Sequence, residues 1–418
     1  DFAMAHSHLG NILRDLGNFK EAESFNRKAI EIKPDYAIAH CNLGLILKDL
    51  GNLKEAEVST RKAIEINPDF AIAYSNLGSI LEALGQLNEA EISTREAIKL
   101  KPDFADAHRN LSYLLLKFKL FKEGWEEYEW RLKSKTCSSK LIVKPNKPKW
   151  VPNKRGRVLL LKEQGIGDQI LFLSLLPDFI DKVDKIIILV DERLIPLLKR
   201  SLKKSIELIS KELSLNDKEY DYHLPLGSLP KYLRPTLNSF QTSKKLNLVV
   251  NKEKSDGFRA RLIDDKYEKI VGISWISKSR LYLGKSDISL EQLISGIYAP
   301  NIRFINLQYG DVREEIYNVK SKLGIEILEI DELDIFNDID GLAALTSACD
   351  EVVTIENITA ILAGALGIST KVILPTNSYW NHGFNDKKSY WFPSLSLFRQ
   401  TTKNEWGQAL NEIKREII

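Results

Sequence analysis

Two periodicities divide the chain. Through the first hundred residues apolar positions recur three and four apart, as on amphipathic helices, and whole helix pairs recur every 34 residues. Ala3–Tyr36 is followed by the closely similar Ala37–Phe70 and Ala71–Phe104. After Arg157 the pattern changes to short apolar runs alternating with helical stretches. Strands are predicted at Val158–Leu161, Lys185–Val190, Ile206–Ile209 and Asp221–Leu224, with helices at Asp168–Leu176 and Leu194–Ser201; Leu226–Leu237, richer in Pro and Gly, reads as loop. A second cycle predicts strands at Lys269–Trp275, Arg303–Gln308, Ile325–Glu329, Glu351–Ile355 and Lys371–Leu374. Its helices fall at Leu290–Ile297, Val312–Leu323, Leu342–Ala348 and Thr359–Leu366, and a last one at Trp406–Ile418. Alternation of this kind builds parallel sheets flanked by helices.

The 34-residue period is that of tetratricopeptide repeats. Small residues fall where paired helices must touch: Gly10, Gly44 and Gly78 on the first helix, Ala22, Ala56 and Ala90 on the second. Pro34, Pro68 and Pro102 end each repeat. Ala105–Leu132 is a fourth, capping unit, with Ser112 for the glycine and Gly124 for the alanine. Asp1-Phe2 matches the ends of later repeats, so the chain is expected to be part of a longer protein. Position six reads His8, Asn42, Asn76, Asn110. Such asparagines either stack into a groove ladder that pairs with an extended peptide or stand solvated. The xNLG pattern resembles the repeats of the O-linked N-acetylglucosamine transferase.

The stretch Lys162–Phe172, KEQGIGDQILF, joins the first strand to its helix. Gly165 and Gly167 permit close backbone approach, and Asp168 either caps the helix or faces a cleft at the strand's carboxyl end. No GxGxxG follows this strand and no GxxxxGK[ST] occurs, which argues against dinucleotide oxidoreductases and P-loop enzymes.

Composition changes this picture little. A net charge of +3 over 418 residues gives no electrostatic case for nucleic acid. No apolar run is long enough to span a bilayer. Cys41, Cys137 and Cys349 match no metal or redox spacing, Cys41 and Cys349 read as small core residues, and no histidine motif suggests a metal. A cytoplasmic location fits. Between Lys133 and Lys162 lie ten Lys or Arg and no acid: either a solvated linker or, through Lys154, Arg155 or Arg157, positive potential beside a phosphate site. His223 reads as a packed or surface histidine.

The expected organisation is a tetratricopeptide solenoid over 1–135, a basic linker over 136–157, Rossmann-like lobes over 158–255 and 256–403, and a closing helix over 404–418 that returns to the first lobe. Its second half resembles glycosyltransferases of the GT-B fold, nearest to the lipopolysaccharide heptosyltransferase family (glycosyltransferase family 9-like) and its tetratricopeptide-linked relatives. The resemblance rests on Glu123–Leu132, EQGIGDQILF (Glu163–Phe172), GISW (Gly272–Trp275), Asp340–Gly367 and Trp391–Gln400. It implies that Asp168 is the general base of a metal-independent, inverting sugar transfer, with a nucleotide-diphosphate sugar as co-substrate and no other cofactor.

The resemblance also places the donor in the second lobe, at the turn Glu356, Asn357, Thr359 before a helix whose free N–H groups suit phosphate. Lys278, Arg280 and Lys285 are further donor candidates or a solvated loop, and His382 is a cleft donor or an exposed loop histidine. Three positions depart from the family pattern: Glu356 stands for Asp, Ile361 for His, and Tyr379-Trp380-Asn381-His382 for Asp-Trp-Arg-Trp. The acceptor is expected to be a polypeptide in the Asn42, Asn76, Asn110 groove. The alternatives are a glycan or lipid-linked acceptor, or a degenerate scaffold for protein partners.

Overall fold

The computed structural model describes residues 2–134, 145–210, 218–277, 288–402 and 404–418. It divides into two compact units, Asp1–Cys137 and Ser138–Ile418.

The first unit consists of paired antiparallel helices. These are α1 (Phe2–Asp15) with α2 (Phe19–Ile32), α3 (Ala37–Asp49) with α4 (Leu53–Ile66), α5 (Ala71–Ala83) with α6 (Leu87–Leu100), and α7 (Ala105–Lys117) with α8 (Phe121–Tyr128). The small residues act as expected. A Cβ on Gly44 would lie 2.0 Å from Thr60 Oγ1 and 3.1 Å from the Ala56 carbonyl; on Gly78 it would lie 2.2 Å from Thr94 Oγ1. The hydroxyls of Thr60 and Thr94 donate to the carbonyls of Ala56 and Ala90, which leaves them no room to move aside without losing a bond. In the last pair the exchange is reciprocal: Gly124 opens space that Leu116 fills. The large side chains there pack within the unit, Trp125 edge-on to Tyr128, Arg131 over Tyr128, and Trp130 stacked on His108 at 4.0 Å.

The second unit holds two wholly parallel sheets. In the first lobe β1 (Arg157–Leu161), β2 (Lys185–Leu189), β3 (Glu207–Ile209) and β4 (Tyr222–Pro225) lie in the order β3-β2-β1-β4. Its helices are α9 (Ile166–Leu173), α10 (Leu176–Phe179), α11 (Ile195–Ser201), α12 (Leu229–Leu233) and α13 (Leu237–Gln241). The expected loop at Leu226–Leu237 is largely helical, because Pro230 falls in the first turn, where its missing N–H costs nothing. The described end of the basic segment is an edge of this sheet. Lys149 bridges His223 in parallel, Trp150 N donates to the His223 carbonyl, and the Trp150 ring is buried against Phe179 and Tyr232.

The second lobe begins with α14 (Lys252–Leu262), which packs on α17 (Ile339–Ser347), so the expected boundary at 255/256 falls inside one helix. Strands β5 (Lys269–Ser274), β6 (Ile302–Asn306), β7 (Ile327–Leu328), β8 (Glu351–Ile355), β9 (Thr370–Leu374) and β10 (Leu395–Arg399) lie in the order β10-β9-β8-β5-β6-β7. The remaining helices are α15 (Leu290–Ile297), α16 (Arg313–Leu323), α18 (Ile358–Leu366) and α19 (Gly407–Ile417). Helix α19 packs on the second lobe, burying Leu410, Ile413 and Ile417 with Leu293 and Ile294, rather than crossing back. Cys41 and Cys349 are buried thiols, pushed up to about 11 and about 12 by burial, which keeps both protonated and inert. Cys137 lies outside the described residues.

Candidate active site

In each sheet the strand order reverses beside the first strand, and ligands of open α/β sheets bind at such points, beyond the carboxyl ends of the strands. In the first lobe that place is the turn after β1. Glu163 is buried and its Oε1 accepts from Gly227 N at 2.7 Å, tying the turn to the loop after β4. Gln164 takes φ +61°, a left-handed conformation uncommon for a side chain of its size, and such strain gathers at functional turns. Gln169 is buried and accepts from Asp191 N at 2.9 Å, tying the loop after β2. EQGIGDQ therefore organises three strand ends.

Asp168 does not occupy the N-cap position. Gly165 does, and Asp168, three residues on, accepts from Gly165 N at 3.3 Å. The two alternatives read from the sequence thus coexist: the carboxylate closes the first turn and also sits at the strand end. Burial pushes its carboxyl up to about 6, Glu163 adds to the rise, and the Gly165 N–H opposes it. The side chain keeps partial exposure within a crowded recess.

The second lobe's reversal lies between β5 and β8. Asn357 occupies it. Its Oδ1 accepts from Thr359 N at 3.0 Å and Ala360 N at 3.4 Å, and its Nδ2 donates to Ser274 Oγ at 2.8 Å. The expectation that the N–H groups of α18 are free for phosphate is therefore corrected: Asn357 caps two of them. Glu356 is also turned inward, accepting from Tyr379 N at 2.9 Å, so it does not stand at the helix mouth. His382 is buried, not an exposed loop histidine; burial, and then the Arg399 charge, lower it to about 3, so it is neutral. Thr359 is fully buried. Lys278, Arg280 and Lys285 lie outside the described residues.

The two reversals face each other. A Cβ on Gly167 would lie 3.8 Å from the Ile358 Cα, an ordinary van der Waals contact, so the Asp168 turn lies directly against the start of α18. The Trp391 indole donates to Ser174 Oγ at 2.9 Å and stands edge-on to Phe172 and Phe240, closing one side of the seam. Sequence reasoning missed Arg399 at the end of β10. Its Nη1 donates to Ser378 Oγ at 2.6 Å and its Nη2 to the His382 carbonyl at 2.7 Å, in the loop that holds Asn381. Two of the three basic side chains suggested for a phosphate are paired with carboxylates: Arg157 grips Asp221 at 2.9 and 3.1 Å, and Arg155 pairs with Asp184 at 2.9 Å. His223 is packed, with Nδ1 2.7 Å from the Lys147 carbonyl.

In the first unit the asparagine ladder exists, but its rungs are not amide to amide. Asn42 Nδ2 donates to Ser7 Oγ at 2.9 Å, Asn76 Nδ2 to Cys41 Sγ at 3.1 Å, and Asn110 Nδ2 to Ser75 Oγ at 3.5 Å, each to the preceding repeat. One N–H of each amide thus sets repeat register, while its oxygen remains an acceptor. Met4, Ile38 and Ile72, four residues before His8, Asn42 and Asn76 on the same helix face, are 46, 43 and 47 % exposed. They add an apolar stripe beside the polar one.

Residues 37–70 and 60–92 match tetratricopeptide repeat families, and residues 10–51 match a TPR repeat family. The first unit carries tetratricopeptide repeats. Protein FlbA of Caulobacter vibrioides is 27% identical over 322 residues, covering 72% of this chain and 53% of FlbA; the chain spans about half the length of that curated relative. Among solved structures, Pseudomonas aeruginosa PilF is 28% identical with a TM-score of 0.30, covering 31% of this chain and 60% of its own. The first TPR of Spaghetti (RPAP3), bound to an HSP90 peptide, is 24% identical with a TM-score of 0.26, covering 26% of this chain and 87% of its own. No described helix is long and apolar enough to cross a membrane, and no group of three or more His, Cys, Asp or Glu among the described residues is disposed to hold a metal ion.

Proposed function

We propose that the second unit is a GT-B glycosyltransferase, inverting and metal-independent, that uses a nucleotide-diphosphate sugar. The observation that carries this reading is Asp168. A carboxyl near pKa 6 at the first lobe's strand ends, against the start of α18 in the second, has the basicity and place of a general base working near neutral pH. In the reaction Asp168 takes the proton of an acceptor hydroxyl as its oxygen attacks the anomeric carbon from the side opposite the diphosphate. The anomeric C–O bond breaks, and the nucleoside diphosphate leaves with the electron pair. With two N–H groups of α18 capped, the diphosphate depends on the helix dipole and on cationic side chains such as Lys278, Arg280 and Lys285.

The acceptor we propose is a polypeptide hydroxyl, bound through the first unit. Asn42, Asn76 and Asn110 offer amide oxygens to backbone N–H groups, and the apolar stripe offers sequence preference. A glycan or lipid-linked hydroxyl is the alternative acceptor. A second reading, a scaffold that binds protein partners without turnover, is favoured by the capping of α18 by Asn357 and the inward turn of Glu356. Release of nucleoside diphosphate from a panel of sugar nucleotides, with and without peptide acceptors, separates the two. The transferase releases it and loses release in Asp168→Asn; the scaffold releases none.

A further inference from the structure

The solenoid of the first unit is finished at one end and bare at the other. Each described pair meets the next through one kind of contact: α2 packs on α3, α4 on α5, and α6 on α7. On α3 the receiving face is Ala39, Leu43 and Ile46, all buried, and their equivalents on α5 and α7 are buried too. Ala29 and Ile30 of α2 are among the side chains that cover it. On α1 the same three positions are Ala5, Leu9 and Ile12. All three are exposed, Leu9 by 40 % and Ile12 by 56 %. A face that is covered on three helices of one kind is open on the remaining one, and a contiguous apolar surface of this sort marks an interaction site.

Two ladders stop at the same place. Arg27 of α2 grips Glu55 of α4, Arg61 grips Glu89 at 3.1 Å, and Arg95 grips Glu123 at 2.9 Å, each arginine reaching the glutamate of the following pair. Glu21 holds that glutamate position on α2; it is exposed and has no ion pair among the described residues. The amide rungs run the other way, from Asn42, Asn76 and Asn110 back to the preceding pair, and His8 stands where the next rung would reach back. At α8 the series is closed instead. Glu129 stands in the position of the ladder arginines and is bound to Arg131 at 3.0 Å. A second copy stacked head to tail would set Glu129 against Glu21, like charge on like charge.

We propose that the open face of α1 is the docking surface for a further tetratricopeptide helix pair of the same polypeptide. Its second helix lays small and apolar side chains on Ala5, Leu9 and Ile12 and presents an arginine to Glu21. Continuity with the existing interfaces favours the same polypeptide: four residues separate α2 from α3, α4 from α5, and α6 from α7. A pair joined to α1 by so short a connection docks at high effective concentration. Docked there, it carries the groove of the first unit past His8, whether or not the second unit transfers sugar.

The test extends the full chain with a copy of its own residues 37–68 placed directly ahead of Asp1, so that the copy of Arg61 falls opposite Glu21. Amide hydrogen exchange across α1 should slow by about tenfold or more against the unextended chain, because interfaces with neighbours supply much of a repeat's stability. Ile12→Gln and Glu21→Lys, made singly, should leave the melting temperature of the unextended chain within about 2 °C, as changes at exposed positions do. In the extended chain Ile12→Gln should abolish most of the protection of α1, and Glu21→Lys part of it. Protection that never appears, or that both substitutions leave intact, overturns the proposal. So does an unextended chain that sediments as a dimer with α1 already protected, which would make a second copy the occupant.

Discussion

Replacing Asp168 by Asn should stabilise the protein and silence it. The folded carboxyl sits at about 6, and an unfolded aspartate at about 3.9. The raised value means that the folded state holds this proton more tightly. The resulting stability is present in full below about pH 4 and is lost as pH rises through about 6. A difference of that size between the folded and unfolded carboxyl corresponds to about 3 kcal/mol, which partial exposure reduces to about 1–2 kcal/mol. At pH 7.5 the ionised Asp168 therefore opposes folding by that amount. Asparagine carries no charge and keeps an oxygen for the Gly165 N–H at the start of α9. Urea unfolding followed by tryptophan fluorescence at pH 7.5 should show a higher midpoint for Asp168→Asn than for the unaltered chain, and matching midpoints at pH 4. Sugar transfer should fall by roughly 10²–10⁴-fold, the range of general-base catalysis. A lower midpoint at pH 7.5 would refute the reasoning. It would show an ionised carboxylate that stabilises the helix as an ordinary cap.

Other perturbations follow from the same geometry. His382 has the opposite sign to Asp168: held neutral beside Arg399, its contribution is full above about pH 6.5 and lost as pH falls toward about 3, so His382→Gln should lose about 2 kcal/mol less than the unaltered chain on going from pH 7 to 5, read by urea midpoints. Gly44→Ala should cost about 1–3 kcal/mol by driving a methyl into Thr60 Oγ1, and adding Thr60→Ala should recover part of it; full tolerance of Gly44→Ala in a thermal melt would contradict the close helix contact. Asn42, Asn76 and Asn110 changed together to Ala should weaken a peptide acceptor, measured as KM, while sparing hydrolysis of the donor; equal loss of both would exclude the groove.

The repeats were legible because each fixes its identity by local chemistry: glycine and alanine where backbones touch, proline where the helix must stop. The buried strands were legible as apolar runs, and β8 and α15 match their expected limits to the residue. Helix α14 was not, because only Ser255 and Leu262 of its residues are buried and its charges carry no clear stripe. Strand β10 was hidden because Leu395–Arg399 is only five residues long and shows neither a continuous apolar run nor a clean alternation. At the site, Asp168 and Gly167 could be singled out from one contiguous turn. The self-capping of α18 had a signal in Asn357, since asparagine is among the best N-cap residues, but a turn before a helix suits phosphate equally well until the side chain is placed. Arg399 had none: seventeen residues lie between it and Asn381, and only the parallel pairing of β9 with β10 brings that strand end to the loop.

The central claim is that the second unit binds a sugar nucleotide for transfer. The most direct measurement is a thermal-shift screen of the whole chain against UDP-, GDP-, ADP-, CMP- and dTDP-sugars without added metal. A ligand at about 100 times its dissociation constant stabilises by about 2.7 kcal/mol. The account predicts a clear upward shift with one nucleotide class, retained in Asp168→Asn. A folded protein that shifts with no member of the panel would contradict it and leave a tetratricopeptide scaffold.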